Sequence, residues 1–242
     1  MLFRSTRVLV DCGLSPREAG RRLARLGLGS GDLHGILLTH EHDDHAGQAY
    51  ACAAAWNLPV WLTHGTQVAM TEAGKQAGKV ATHTIHGRLP FAMGDLQVLP
   101  YTVPHDAREP VQYVLSDGAF RLGVLTDIGA STAHVEATLS GCDALVLETN
   151  HDLDMLWRGP YPEWLKDRVA GRLGHLDNAT AGELLGAIDS SRLRHLVAAH
   201  LSEKNNTPDL ARAALVESLG CDPHWLVLAT QERGTDWLPL DA

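Results

Sequence analysis

The run His40-Glu41-His42-Asp43-Asp44-His45 follows the apolar stretch Gly35-Ile36-Leu37-Leu38-Thr39 directly and leads into an alanine-rich stretch that ends near Trp56. A buried strand that ends in six ionisable residues and turns into a helix constrains the fold strongly, because α/β folds place their chemistry on loops at strand ends. In extended chain, side chains two apart point the same way, so His40 and His42 can present two imidazoles to one ion. Asp44 and His45 open the helix and can offer a carboxylate and an imidazole to a second ion. Such donors suit zinc, manganese, iron or cobalt.

Strand and helix alternate along much of the chain. Residues 6–11 read as a strand, and Ser15, Pro16 and Glu18 supply the N-cap, first-turn proline and capping box of a helix to about Leu26. A helix is expected from Asp44 to about Trp56 and a strand over 59–63. Segments 96–103, 111–115 and 120–126, with short turns between them, predict an antiparallel meander. Helix 132–139 leads to strand 144–148, and helix, strand, helix and strand follow over 180–188, 195–199, 208–219 and 225–229. This order suits two similar α/β halves packed sheet to sheet in a single domain, 1–242. Segment 151–175, with Trp157, Tyr161 and Trp164, reads as a lid or substrate wall whose aromatics pack on the core or else stack bases.

Bulk properties set the compartment and exclude some partners. At 242 residues the chain suits one α/β domain, and no apolar run is long enough to span a bilayer. The first seven residues lack the features of a signal peptide, so no membrane partner and a cytoplasmic location are expected. Cys12, Cys52, Cys142 and Cys221 form no CxxC pair and are expected to be reduced. A formal net charge of -9 argues against broad adhesion to nucleic acid. It leaves a nuclease open, since bound divalent ions reverse the local sign. Without a basic tract, a short contact footprint or a strand end is the expected mode. Oligomeric state is not set by the sequence.

Four ligands do not fill two metal shells. Other strand ends offer His105 and Asp106 after Pro104, Asp127 after Thr126, and His200 after Ala199. His83 and His86 would face one way on a helix, but with no acidic neighbour they read as solvated surface, and His64 reads as structural.

The motif HxHxDH, then a lone His, an Asp and a final His, resembles the metallo-β-lactamase superfamily. The stretches LLTHEHDDHAG, VPHDAREPVQY, LTDIG, LETNHDLDML, YPEWLKDRV, GHLDN and AHLSEKNN are similar to its YycJ (WalJ) branch, regarded as metal-dependent nucleases acting on DNA from the 5′ end. The resemblance implies an α/β fold, the αββα four-layer sandwich. It implies that His40, His42 and His105 hold one ion, that Asp44, His45 and His200 hold another, and that Asp127 bridges them. Two such ions, zinc or manganese foremost and iron next, would lie about 3.5–4 Å apart and supply a metal-bound hydroxide. The implied activity is 5′ to 3′ DNA exonuclease, with DNA favoured over RNA. By likeness to the tRNA 3′-processing ribonuclease, His175 would protonate the leaving oxygen with Glu148 as its orienting partner, and Asp44 counts with them as catalytic. His151, Asn205 and Asn206 are assigned to phosphate or substrate contact, or to shaping the metal loops. Alternatives on the same fold are RNA processing, cyclic-nucleotide phosphodiesterase, thioesterase or lactonase activity, and a non-catalytic metal-binding regulator. The family usually opens with a strand, an SGSxGN-type loop and a second strand. Here Ser5 passes directly to Thr6, so a shortened N-terminal strand pair and an unpaired edge are expected.

Overall fold

Parallel strands require a crossover long enough to hold a helix, and the computed structural model contains two sets of them. It describes residues 2–3 and 5–240. These fall into two compact units, Met1–Thr102 with Ala107–Gly118, and Val103–Asp106 with Ala119–Ala242.

In the first unit, β1 (Leu2–Phe3) pairs antiparallel with β2 (Thr6–Val10), Leu2 opposite Arg7 and Phe3 opposite Thr6. The N-terminal strand pair is thus short but present, and the expectation of a wholly unpaired edge is corrected. β2, β3 (Gly35–Leu37), β4 (Val60–Thr63) and β5 (Thr82–Ile85) then pair in parallel. Ser15 caps α1 (Pro16–Arg25) through the Glu18 N–H, as its sequence predicts. The single helix expected from Asp44 is found as two, α2 (Asp43–Ala46) and α3 (Ala49–Trp56). The backbone at the break is bonded to the end of β2 instead of continuing the helical ladder: Cys12 donates to the His45 carbonyl at 2.6 Å, and Gln48 donates to the Cys12 carbonyl at 3.1 Å. Gly13 lets the segments meet, because a Cβ there would stand 2.0 Å from the Asp44 carbonyl oxygen.

Two elements here escaped the sequence pattern. Thr63 caps α4 (His64–Glu72), which begins at His64. His83 lies on β5, not on a helix, with its ring stacked on Trp61 at 4.6 Å, and His86 follows the strand; both are exposed. The core gathers Ile36, Leu38, Val60, Leu62, Cys52 and Met70. β6 (Phe91–Met93), β7 (Leu96–Thr102) and β8 (Val111–Ser116) form an antiparallel meander. Its first turn is the pair Gly94-Asp95, with Gly94 at φ 57°, a conformation glycine adopts at little cost.

The second unit is built on β9 (Arg121–Leu125), β10 (Ala144–Glu148), β11 (His195–Ala199) and β12 (Val227–Leu228), all parallel. α5 (Ala133–Leu139) returns between β9 and β10. α6 (Leu153–Arg158), α7 (Glu163–Val169) and α8 (Asn178–Ala187) lie between β10 and β11, and α9 (Pro208–Leu219) precedes β12. Thr132, Asp152, Asp177 and Thr207 cap four of these helices with side-chain oxygens. No helix among the described residues is long and apolar enough to cross a membrane. The four cysteines are free.

At the base of this sheet, buried Asp143 precedes β10. Its Oδ2 accepts the Arg121 N–H at 2.8 Å, its Oδ1 accepts from the Arg192 guanidinium at 2.9 Å, and its carbonyl accepts the Arg194 N–H at 2.7 Å. One residue therefore ties together the starts of three strands. Asp143→Ala is expected to strand the Arg121 donor and lower stability by about 1–3 kcal/mol. A urea melt would measure this, and an unchanged midpoint would contradict the role.

Candidate metal centre

Parallel pairing of β2 with β3 places Asp11 and the segment after Leu37 at one end of the first unit's sheet. Asp11 sits at φ 61°, in the left-handed region, a conformation that costs a non-glycine residue roughly 1–2 kcal/mol. Its contacts hold it there. Oδ1 accepts the Thr39 N–H at 2.8 Å, and Oδ2 accepts both the Thr39 hydroxyl and His45 Nδ1 at 2.8 Å. Having given its proton to Asp11, the Thr39 oxygen accepts from His40 Nδ1 at 2.9 Å. One carboxylate thus fixes two buried imidazoles with the proton on Nδ1 and the lone pair on Nε2. The His40 ring lies 4.5 Å from that of His42 and 4.4 Å from that of His45, and Asp44 Oδ2 is 3.4 Å from His45 Nε2. The four ligands expected from the motif are therefore assembled in one place.

The second unit repeats this logic around Glu148, the last residue of β10 and 0% exposed. Its Oε1 accepts His175 Nδ1 at 2.8 Å and His200 Nδ1 at 2.9 Å. Its Oε2 accepts the Ile128 and Leu176 N–H groups at 3.0 and 3.1 Å. Burial works against the Glu148 charge, but hydrogen bonds from His175 and His200 outweigh it and hold the carboxyl down to about 2. Burial likewise opposes the His175 imidazolium, and Glu148 overcomes this and raises the His175 pKa. His105 donates from Nδ1 to the Gly174 carbonyl at 3.1 Å, which can only accept, so its lone pair is also on Nε2. Asp127, at φ 53°, and His200, at φ 57°, follow β9 and β11 in left-handed conformations. Asp127 Oδ1 lies 3.8 Å from His105 Nε2 and 3.6 Å from His200 Nε2, between two expected ligands. Ligand-type atoms of Asp127, Glu148, His175 and His200 all fall within 4.8 Å of one another.

The residues assigned to substrate contact or to shaping the metal loops are all buried. His151 and Asn205 are each 1% exposed, and Asn206 is also buried. The Asn206 amide is committed inside the protein: Nδ2 donates to the Thr149 and Asn150 carbonyls and to Asn178 Oδ1, while Oδ1 accepts from Thr207 N–H and Asn178 Nδ2. The Asn205 carbonyl accepts the Asp152 N–H at 2.8 Å, and His151 Nδ1 lies 3.3 Å from Asn150 Oδ1. Burial lowers the His151 pKa. The Asn206 amide thus ties the loops after β10 and β11 together, as the loop-shaping alternative expects, whereas His151 Nε2 and Asn205 Oδ1 are buried with no hydrogen-bond partner among the described residues. Conversely, Asp11 and Thr39 were missed. Asp11 ends an apolar strand much as Asp127 does, so the strand-end rule that singled out Asp127 applied to it as well. The Gly174 carbonyl has no side-chain signal to find.

Imidazoles held from behind through Nδ1, with Nε2 lone pairs and nearby carboxylates, are a donor set that fits divalent zinc, manganese or iron. Residues 6–200 match the beta-lactamase superfamily domain, and the chain belongs to that superfamily of metallo-hydrolases. Within it, the chain is 32% identical over 228 residues to exodeoxyribonuclease YycJ of Bacillus anthracis, covering 90% of this chain and 84% of that protein. It is 32% identical over 218 residues to exodeoxyribonuclease WalJ of Streptococcus pneumoniae, covering 88% and 80%. In fold it is similar to the metallo-β-lactamase fold protein YhfI of Bacillus subtilis, with a TM-score of 0.71 at 16% identity over 98% of this chain and 88% of that one. The expected fold class is borne out.

Glu148→Gln gives a sharp test of the second hub. Each Glu148 oxygen accepts two donors, and an amide has only one acceptor end. The fixed backbone N–H groups claim the amide oxygen, so the NH₂ faces His175 and His200 and drives their protons to Nε2. Metal affinity is expected to fall by about 10–100-fold. Elemental analysis of the purified variant would check this, and full metal occupancy would contradict it.

Proposed function

We propose that the chain is a metal-dependent phosphodiesterase, a DNA exonuclease running 5′ to 3′. Two divalent ions, zinc or manganese foremost and iron next, would be held by His40, His42 and His105 and by Asp44, His45 and His200, with Asp127 common to both. The observation that carries this reading is the tautomer lock: His40, His45, His105 and His200 each have Nδ1 engaged by an oxygen, so each directs an Nε2 lone pair outward. The nuclease part rests on the two relatives named exodeoxyribonucleases at 32% identity. One domain and a cytoplasmic location belong to the same reading. The match over 6–200 runs through both units, and the free cysteines suit a reducing compartment.

When bound, such ions lower the pKa of a water and neutralise charge that builds on phosphate oxygens. The chain's own groups supply the rest. Asp44 and Asp127 bring negative charge that offsets the cations without closing the site to a phosphate. His175, anchored to Glu148 through Nδ1, turns Nε2 outward as the end that delivers a proton to the departing oxygen. Glu148 orients the ring and takes no part in bond breaking.

Asp127→Ala is expected to lower metal-dependent DNA cleavage by about a hundredfold or more, with metal lost in parallel. Unchanged turnover would overturn the reading. His175→Ala is expected to lower kcat by about 10²–10⁴-fold while metal content stays intact. Metal-free protein, resupplied with manganese or zinc, would be assayed on single strands with and without a 5′-phosphate and on RNA. Cleavage of a thioester or lactone but of no nucleic acid would overturn the phosphodiester assignment.

A further inference from the structure

Exposed apolar side chains concentrate on one stretch of the second unit. Trp157 is 49% exposed and Trp164 67%, and Leu153 and Leu173 are exposed beside them in sequence. Four of the seven large exposed apolar residues among the described residues thus fall within 153–173, less than a tenth of the chain. Neither tryptophan is buried in a core, the other reading that their sequence allowed, although about half of Trp157 is covered. Clustered exposed apolar surface marks an interaction site more often than chance placement.

Charge and tethering indicate what it meets. The stretch carries Arg158, Lys166, Arg168 and Arg172 against Asp154, Glu163 and Asp167, in a chain whose formal net charge is -9. Its formal charge is +1, where the whole chain carries -9, with Arg158 paired to Asp154 and Arg168 to Asp106. Tyr161, between the tryptophans in sequence, already has the Lys204 ammonium over its ring at 5.6 Å. The stretch is also fixed in place. Lys166 Nζ donates to the Trp157 carbonyl at 2.7 Å, which joins α7 to α6, and Arg168 binds Asp106 at 2.6 Å. The Leu173 carbonyl accepts the Asp106 N–H, the Gly174 carbonyl accepts His105 Nδ1, and the His175 N–H donates to Val169. The aromatic segment is therefore continuous with an expected metal ligand and with the expected proton donor.

We propose that Trp157 and Trp164 form a stacking platform for the bases of single-stranded DNA next to the bond being cut, with the neighbouring cations meeting its phosphates. This rests on the DNA-cleaving reading above. Stacking suits an exonuclease because every base has a π-face, and a grip that must accept each nucleotide in turn cannot depend on base-edge hydrogen bonds. Arg158, although paired with Asp154 at 3.2 Å, and Arg172 are both exposed beside the tryptophans in sequence and can meet phosphates.

The test is fluorescence anisotropy with the metal-free full chain and a 3′-labelled thymidine oligonucleotide of about ten nucleotides, alongside an abasic strand of equal length. The thymidine strand is expected to bind the unmodified chain roughly fivefold or more tighter than the abasic strand. Trp157→Ala and Trp164→Ala should each narrow that gap, Phe at the same positions should restore much of it, and Leu should not. Trp237→Ala, at an exposed tryptophan elsewhere in the sequence, should leave the gap unchanged. Equal affinity of the unmodified chain for both strands overturns the platform without any variant, and so does Leu restoring binding as well as Phe. Loss of self-association in the alanine variants, seen by sedimentation with the strand preference intact, would assign the surface to a second copy and also overturn it. Cleavage is read separately: if the metal-loaded chain fails to cut a strand that it binds through its bases, the nuclease reading fails and the platform stands.

Discussion

A carboxylate, fully buried in Glu148 and largely so in Asp11, accepting a hydrogen bond from imidazole Nδ1 is the interaction on which the candidate site depends. An imidazole with its proton on the wrong nitrogen cannot ligate, whatever its position, so placing the histidines is only half of the problem. Asp11 addresses the other half in the first unit, directly for His45 and through the Thr39 hydroxyl for His40. Glu148 does so in the second, for His175 and His200. Removing a carboxylate from water costs several kcal/mol. Four hydrogen bonds converge on Glu148, and those from His175 and His200 outweigh its burial and hold the carboxyl down to about 2. The charge is therefore stable where it is buried, and it is held ready to orient two rings.

Backbone geometry does the remaining positioning. Asp11, Asp127 and His200 all lie just past parallel strands, and all three adopt positive φ although none is glycine. A left-handed residue turns the chain sharply as it leaves the sheet, which keeps each side chain at the strand end and sends the following residues away. The strain is small per residue, and the hydrogen bonds and packing of the surrounding loops offset it. Non-glycine residues in this region cluster at functional sites for this reason.

Much of this was legible in the sequence, and the parts that were not share a cause. His40, His42, Asp44 and His45 were readable because they lie close together between a strand and a helix. His105, Asp127 and His200 were readable because each ends an apolar run. Strands such as β9, β10 and β11 showed through as continuous apolar segments. Short elements did not: α4 and β5 carry mixed polar patterns, and α2 separates from α3 because of hydrogen bonds to Cys12, a residue more than thirty positions away. Asp11 was passed over as a strand terminus, and Asn206 looked available although five internal contacts use its amide. Whether a polar side chain faces solvent or closes an internal network depends on long-range contacts, and local sequence does not encode them.

β10 brings these threads together. Asp143 precedes it and Glu148 ends it, both buried, and each accepts from groups beside the neighbouring strands. At the base, the Asp143 carboxylate binds one backbone N–H and an arginine whose side chain is largely exposed, and its carbonyl binds a second N–H, so its contacts hold strand starts in register. At the other end, two of the four donors to Glu148 are imidazoles, groups whose protons can move. The same device, a buried carboxylate saturated by donors, is structural where its donors are fixed and suits the proposed proton donor where they can exchange a proton. Which role each end plays follows from its partners, and those partners lie on β9, β11 and the loops that follow them.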